Sequence, residues 1–204
     1  MTRKTGFVLS AVLVSALVAG SGWAISVKTL NIQKMVQLSD RVFYGRCLSA
    51  VDSAEETLGY SVRVYRFLVL EGLKNTQEGQ IVEFRQLAPR GRGINIPGMP
   101  QFSKGQSLLL FLHGTSRLGL TSPVGLQQGI FEPEELETGE TAFTNGYGNR
   151  NLDQDLTPQM RTQAGLGGAE VQALEDGQPL SLSVFRDIVL KLDRYNDQIE
   201  GRVQ

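Results

Sequence analysis

Few residues in this chain have the chemistry for catalysis. It carries one histidine, His113, and one cysteine, Cys47. A Ser–His–Asp hydrolase would have to use His113, yet no Gly-x-Ser-x-Gly elbow is present to present a nucleophile. His113 follows the apolar run Leu108–Leu112 and precedes Gly114, a setting that reads as structural or as a strand edge. Zinc sites built on several Cys and His ligands are excluded by count. Cys47 sits inside an apolar, strand-like run and reads as a buried small hydrophobe; alone it makes no internal disulfide.

Carboxylates are the remaining candidates for acid–base work. Glu83, Glu132, Glu134 and Glu135 could supply an acid and a base of the kind used by glycoside hydrolases, if the fold brought two of them together. Asn149, Asn151, Asp153 and Asp155 alternate in the manner of calcium-loop ligands. Gln154 stands where such a loop needs glycine, and Met160 where it needs its bidentate acid, so a solvated polar loop is expected. Arg90–Gly91–Arg92–Gly93 has the composition of RNA-binding arginine–glycine segments, but two arginines in a chain of net charge −1 make a weak electrostatic footprint. No catalytic residue, metal site or cofactor is therefore assigned, and nucleic acid is not an expected partner.

Other features concern location. Thr2–Arg3–Lys4 is a basic start, Phe7 to Ala19 is apolar and small, and Gly22–Trp23–Ala24 offers small residues for cleavage. Residues 1–24 read as a signal peptide, too short in its apolar run to span a bilayer, and no second stretch reaches spanning length. The product is expected to be exported, periplasmic or extracellular, with no integral span once the signal is removed.

The elements that must position any site follow from periodicity. Leu30 to Leu38 fits one short amphipathic helix capped by Asn31. Val42 to Leu48 reads as a strand, with Gly45 marking a bulge or a close backbone approach. Tyr60 to Leu70 is a long strand whose alternation slips at Tyr65–Arg66, where a bulge is expected. Ile81 to Leu87 is a shorter, more polar strand. Gln106 to His113 is apolar on both faces and reads as a central strand. Arg117 to Thr121, Leu126 to Phe131 and Thr141 to Thr144 are further short strands. A terminal helix starts near Ser181 or Ser183, with Phe185, Ile188, Val189, Leu192 and Tyr195 on one stripe. That stripe suits docking on the chain's own barrel or in a partner's groove.

Many short strands and one bent long strand suit a small closed barrel. Ser39–Asp40–Arg41–Val42–Phe43–Tyr44–Gly45–Arg46, the exit Leu70–Glu71–Gly72–Leu73–Lys74, the turn and strand Phe102 to Leu112, and Gly125 to Phe131 together resemble netrin-like modules. These are the OB-fold-like barrels that include the tissue inhibitors of metalloproteinases. The same segments are similar to exported bacterial proteins with no assigned function. The resemblance covers about Leu30 to Glu132 and implies the fold. The inhibitors' N-terminal cysteine and disulfides have no counterpart here, so zinc-directed inhibition is not implied.

The expected architecture is mainly β: a small closed OB-like (netrin-like) barrel over 25–144, with a short N-terminal helix, a flexible linker over 145–178, and a C-terminal amphipathic helix over 179–204. The glycine- and proline-rich stretch from Ala88 to Gln101 must be a loop. Its side chains Arg90, Arg92, Ile94, Ile96, Met99 and neighbouring Phe102 form the candidate partner-binding loop if exposed, and a cap on the barrel if folded back. The expected function is a non-enzymatic module that binds another exported protein. The alternatives are an envelope assembly protein connected through its last helix and, third, a carboxylate hydrolase. Oligomeric state and partner identity are not legible.

Overall fold

The computed structural model describes residues 28–55, 60–88 and 98–200. The signal segment and Arg90, Arg92, Ile94 and Ile96 lie outside the described residues.

The described chain begins with helix α1, Ile32–Leu38. The Asn31 side chain accepts from Lys34 N–H at 2.9 Å, satisfying a donor left open by the first helical turn. Ile32, Met35 and Val36, at helical spacing, are buried. Two 15-residue strands follow, β1 (Arg41–Glu55) and β2 (Tyr60–Lys74), paired antiparallel as a long ribbon. Next come β3 (Ile81–Leu87), β4 (Ser107–Leu112), a 3₁₀ turn at Leu126–Gly129, β5 (Ile130–Glu135) and β6 (Thr141–Asn145). Helices α2 (Pro158–Ala164) and α3 (Gly168–Glu175), the two-residue strand β7 (Leu180–Ser181) and helix α4 (Leu182–Glu200) complete the chain.

All pairings are antiparallel, in one seven-stranded sheet of order β3-β2-β1-β4-β5-β6-β7. The fold is mainly β, as expected, but the sheet is open and the closed barrel is corrected. No strand among the described residues pairs with the outer side of β3; one backbone hydrogen bond, Thr121 N–H to Arg85 C=O at 2.9 Å, touches that edge.

The physical reason lies in β4. Leu108, Leu110 and Leu112 leave one face and Leu109 and Phe111 the other, and all five are essentially buried. A sheet that is apolar on both faces needs two covers. On one face Phe43, Cys47, Tyr65, Phe67, Val69, Val82, Phe84 and Phe102 pack with the β4 leucines into an aromatic-rich core. On the other, Val42, Leu109, Phe111, Phe131 and Phe143 pack against α1, α4 and the chain between β6 and β7. The sheet continues through β6 and β7 to serve this second face, and that extension leaves it open rather than rolled shut.

The register slips lie elsewhere than expected. β2 pairs with β3 without interruption from Val62 to Leu68, so no bulge marks Tyr65–Arg66. The slips fall in the β1–β2 ladder, at Val42/Phe43, Tyr44/Gly45 and Cys47/Ser49. Gly45 serves both roles foreseen for it: a Cβ there would lie 2.8 Å from Leu68 C=O and 2.9 Å from the Phe43 ring. Arg117–Thr121 is a turn and not a strand, and only Ile130 onward of the Leu126–Phe131 segment is extended.

The flexible linker over 145–178 is also corrected. Thr157 caps α2, with Pro158 in its first turn, and Gly165 at φ 75° ends it. Leu152, Leu156, Ala164, Leu166 and Leu174 are buried in the helical core. Helices of seven and eight residues offer too few turns for a readable stripe, yet α2 sets Ala164 inward and α3 sets Leu174 inward. The terminal helix docks on its own sheet through Phe185, Ile188, Val189 and Leu192. Each such burial contributes about 1.5–3 kcal/mol of transfer free energy. Tyr195 lies half-buried at the end of the stripe. No helix of the described residues is long and apolar enough to cross a membrane.

Candidate functional site

The aromatic core ends in a polar mouth. Successive inward positions of β3 are Val82, Phe84 and Gln86, so a glutamine takes the last place in an apolar row. Across the ladder Gln86 faces Arg63, and Arg63 faces Asp52 on β1. Arg63 grips Asp52 with two hydrogen bonds, Nε to Oδ1 at 2.5 Å and Nη2 to Oδ2 at 2.8 Å, and its Nη1 reaches Gln101 Oε1 at 3.3 Å. This hydrogen-bonded pair holds the Asp52 carboxyl below its usual range and raises the guanidinium of Arg63. Tyr65, one step deeper, is 1% exposed; burial raises its phenol, against a hydrogen bond with the Phe102 backbone.

Beside this rim lies a cavity of about 290 Å³, lined by Gln86, Leu87, Met99, His113, Leu120 and Thr121 together with Gly114, Ser116 and Ser122. Among the described residues, none that lines it carries a carboxylate, an ammonium or a guanidinium. Gln86 is 1% exposed, and neither its Oε1 nor its Nε2 has a hydrogen-bond partner. A buried, unpaired amide is costly, and native proteins keep few of them. His113 Nδ1 lies 3.2 Å from Leu38 C=O; a carbonyl only accepts, so Nδ1 carries the proton. No acid lines this cavity to orient His113 as a base.

The loop residues foreseen as a contact surface separate here. Met99 is half-buried and lines the cavity. Phe102 is 4% exposed and folds back: its ring meets Tyr65 at 5.0 Å, Phe67 at 5.6 Å and Phe84 at 6.0 Å between centroids. It plugs the core and offers no contact surface. Gln86, Leu120 and Thr121 were not foreseen. The signal was the polar interruption of the β3 row, which an isolated reading of a polar edge strand passes over.

The carboxylates divide as well. Glu132 and Glu134 share a face of β5 and line a second cavity of about 310 Å³ with Thr144, Asn145 and Gln127. Thr144 Oγ1 donates to Glu134 at 3.0 Å. Glu83 lies on β3, paired with Arg66 at 3.7 Å, and Glu135 alternates to the other face of β5, so the four acids do not converge.

The calcium-like spacing has a different use, and the solvated loop is corrected. Asn149 and Asn151 are buried. Asn149 Nδ2 donates to Phe143 C=O at 2.8 Å and to Gln178 C=O at 3.2 Å, while its Oδ1 accepts from Asn145 N–H at 3.0 Å. Asn151 Nδ2 donates to Leu30 C=O at 2.8 Å and its Oδ1 accepts from Asn145 Nδ2 at 3.1 Å. Asp153 accepts from Arg161 Nη2 at 2.8 Å. These amides join β6, the N-terminal segment and the α3–β7 turn where backbone lacks a ladder partner. Cys47 is 1% exposed, as expected of a core residue, and burial raises its thiol.

Compared with protein-family models, curated proteins and solved structures, the chain shows no match.

Proposed function

We propose that this chain is an exported, non-enzymatic module that binds another exported protein through the mouth of its aromatic core. The observation that carries the reading is the cavity at that mouth, uncharged among the described residues, which Met99 from the long loop lines together with Gln86, whose amide has no partner. Recessed, mostly apolar sites with a few placed polar groups are the usual form of a recognition pocket. The signal-like start of the sequence supports export, and the resemblance of Ser39–Arg46, Leu70–Lys74, Phe102–Leu112 and Gly125–Phe131 to netrin-like modules supports a binding role on a β scaffold. No cofactor, metal or nucleic acid enters this reading.

The alternative of an envelope assembly protein connected through its last helix has less support. The apolar stripe of α4 is spent on the chain's own core, which leaves Leu190, 39% exposed, as its outward apolar residue. Deleting the helix would unfold the sheet and decide nothing. A photo-crosslinking residue at Met99 or at Leu190, in chains recovered from the exported fraction, separates the two. A single partner captured at Met99, and competed by excess unmodified chain, is the expected result. Capture at Leu190 alone would favour assembly through the helix and overturn the mouth.

The cavity holding Glu132 and Glu134 favours a second reading, a carboxylate hydrolase. Its test is turnover of any hydrolysable substrate by pure protein, abolished by Glu132→Gln and by Glu134→Gln. Turnover that survives both changes removes it.

A further inference from the structure

We infer that the mouth cavity recognises the backbone of an extended peptide, with the Gln86 carboxamide pairing to the N–H and C=O of one residue; this rests on the binding-module reading above. Three observations carry it. First, Gln86 offers a donor and an acceptor side by side, both without partners, on a side chain 1% exposed. In an extended chain the N–H and C=O of a single residue point the same way, and a carboxamide matches that pair as a neighbouring strand would. Second, no formally charged side chain among the described residues lines the cavity, so none of them there neutralises a phosphate, a carboxylate or a cation. A neutral guest fits; the absence of Trp, Tyr and Phe from the lining removes the stacking platform that would favour other flat or ring-shaped guests. Third, the cavity adjoins the sheet's outer edge at β3, where no strand is paired among the described residues and where Thr121 N–H already reaches Arg85 C=O.

The Gln86 amide atoms are closed to bulk water, so the guest reaches them by displacing the half-buried side chains of Met99 and Leu120 at the lip. Met99, with its flexible thioether, adapts to that movement.

The test uses the full chain recovered from the exported fraction, ¹⁵N-labelled, and N-acetyl-alanyl-alanine methylamide as probe. The side-chain NH₂ signals of Gln86 and the backbone N–H of Thr121 are expected to shift to saturation. The same compound methylated on both alanine nitrogens, which has lost the N–H of each alanine, is expected to bind at least about tenfold more weakly. Gln86→Met, which keeps the volume and removes the amide, is expected to fold and to lose the probe, whereas Glu137→Gln, on the exposed turn between β5 and β6, keeps it. Unmoved Gln86 signals, equal binding of the methylated compound, or undiminished binding by Gln86→Met would each overturn the inference. The methylated probe decides on the unmodified chain even if a variant misfolds. If crosslinking at Met99 captures a partner while the probe fails, the module stands and the peptide-backbone ligand is wrong. If both fail, the module reading falls with it.

Discussion

Gln86 and Asp52 show how much a single side chain decides at the mouth. Methionine has nearly the shape of glutamine and no polar atom, and an unpaired buried amide costs about 1–3 kcal/mol. Gln86→Met is therefore expected to raise the melting temperature by a few degrees, since 1 kcal/mol moves a domain of this size by about 2–4 °C. Calorimetry on both proteins checks this, and a fall in melting temperature would mean that the amide has a structural partner. Asp52 makes the opposite case. Its carboxyl titrates lower in the folded chain than in the unfolded one because Arg63 holds the ionised form. The stabilisation is thus present above the unfolded value near 3.9 and is lost as pH falls through the lower, folded one. Half of the Asp52 side chain is exposed, so the gain is expected to stay under about 1 kcal/mol. Urea midpoints between about pH 2 and 6 should converge for Asp52→Asn and the unmodified chain at the acid end and separate above it.

At the scale of elements, the segment between β6 and β7 carries the main lesson. Its asparagines, expected to form a solvated polar loop, are joints. Asn149 stands at φ 59°, a left-handed conformation that asparagine tolerates better than most residues, and its side chain holds three backbone groups. Asn149→Ala strands those buried groups and is expected to cost about 2–4 kcal/mol, read as a lower urea midpoint at unchanged slope. Asn149→Asp, which sets a buried carboxylate oxygen against the two carbonyls that Nδ2 served, should cost at least as much. The elements themselves were legible where their period ran long. The α1 cap at Asn31, the ribbon strands, the two-faced β4 and the α4 stripe all announce themselves in residue order. Short α2 and α3 do not: seven or eight residues with one buried side chain each, Ala164 and Leu174, look like linker. The slip at Tyr65–Arg66 misled for a related reason. Val62 and Tyr65 are buried on opposite faces of an uninterrupted strand, so mixed burial imitates a bulge.

For the whole molecule, two cores share one sheet, and β4 belongs to both. The helical side is expected to be part of one cooperative unit with the aromatic side. Phe185 packs on Phe131 at 4.9 Å and Phe143 at 6.3 Å, so Phe185→Ala should cost about 3–5 kcal/mol. Fluorescence of the tyrosines and far-ultraviolet dichroism should report one shared transition for this variant. A separate early transition of the helical side would show that the cores unfold independently. The ion pairs Lys74–Asp193 at 2.7 Å and Arg186–Glu71 tie α4 to β2 across the same interface. Arg186–Glu71 is partly exposed, whereas the Lys74 side chain is largely buried and also donates to Val36 C=O at 3.0 Å, so the two pairs set the orientation of α4 more than they add stability.

Residue order alone determined the longer strands and helices, that the chain is mainly β, that Cys47 is a core residue, and that histidine and cysteine are scarce. These are local properties: period, capping and composition are written within a few residues of each other. Tertiary structure alone decided that the sheet stays open, that Phe102 plugs a core while Met99 lines a cavity, that Glu132 and Glu134 share a site from which Glu83 is remote, and that Gln86 is buried without a partner. Each of these depends on which faces meet across distances of tens of residues. A glutamine in an edge strand has the same local pattern whether its amide meets water or lies sealed at the mouth of a core.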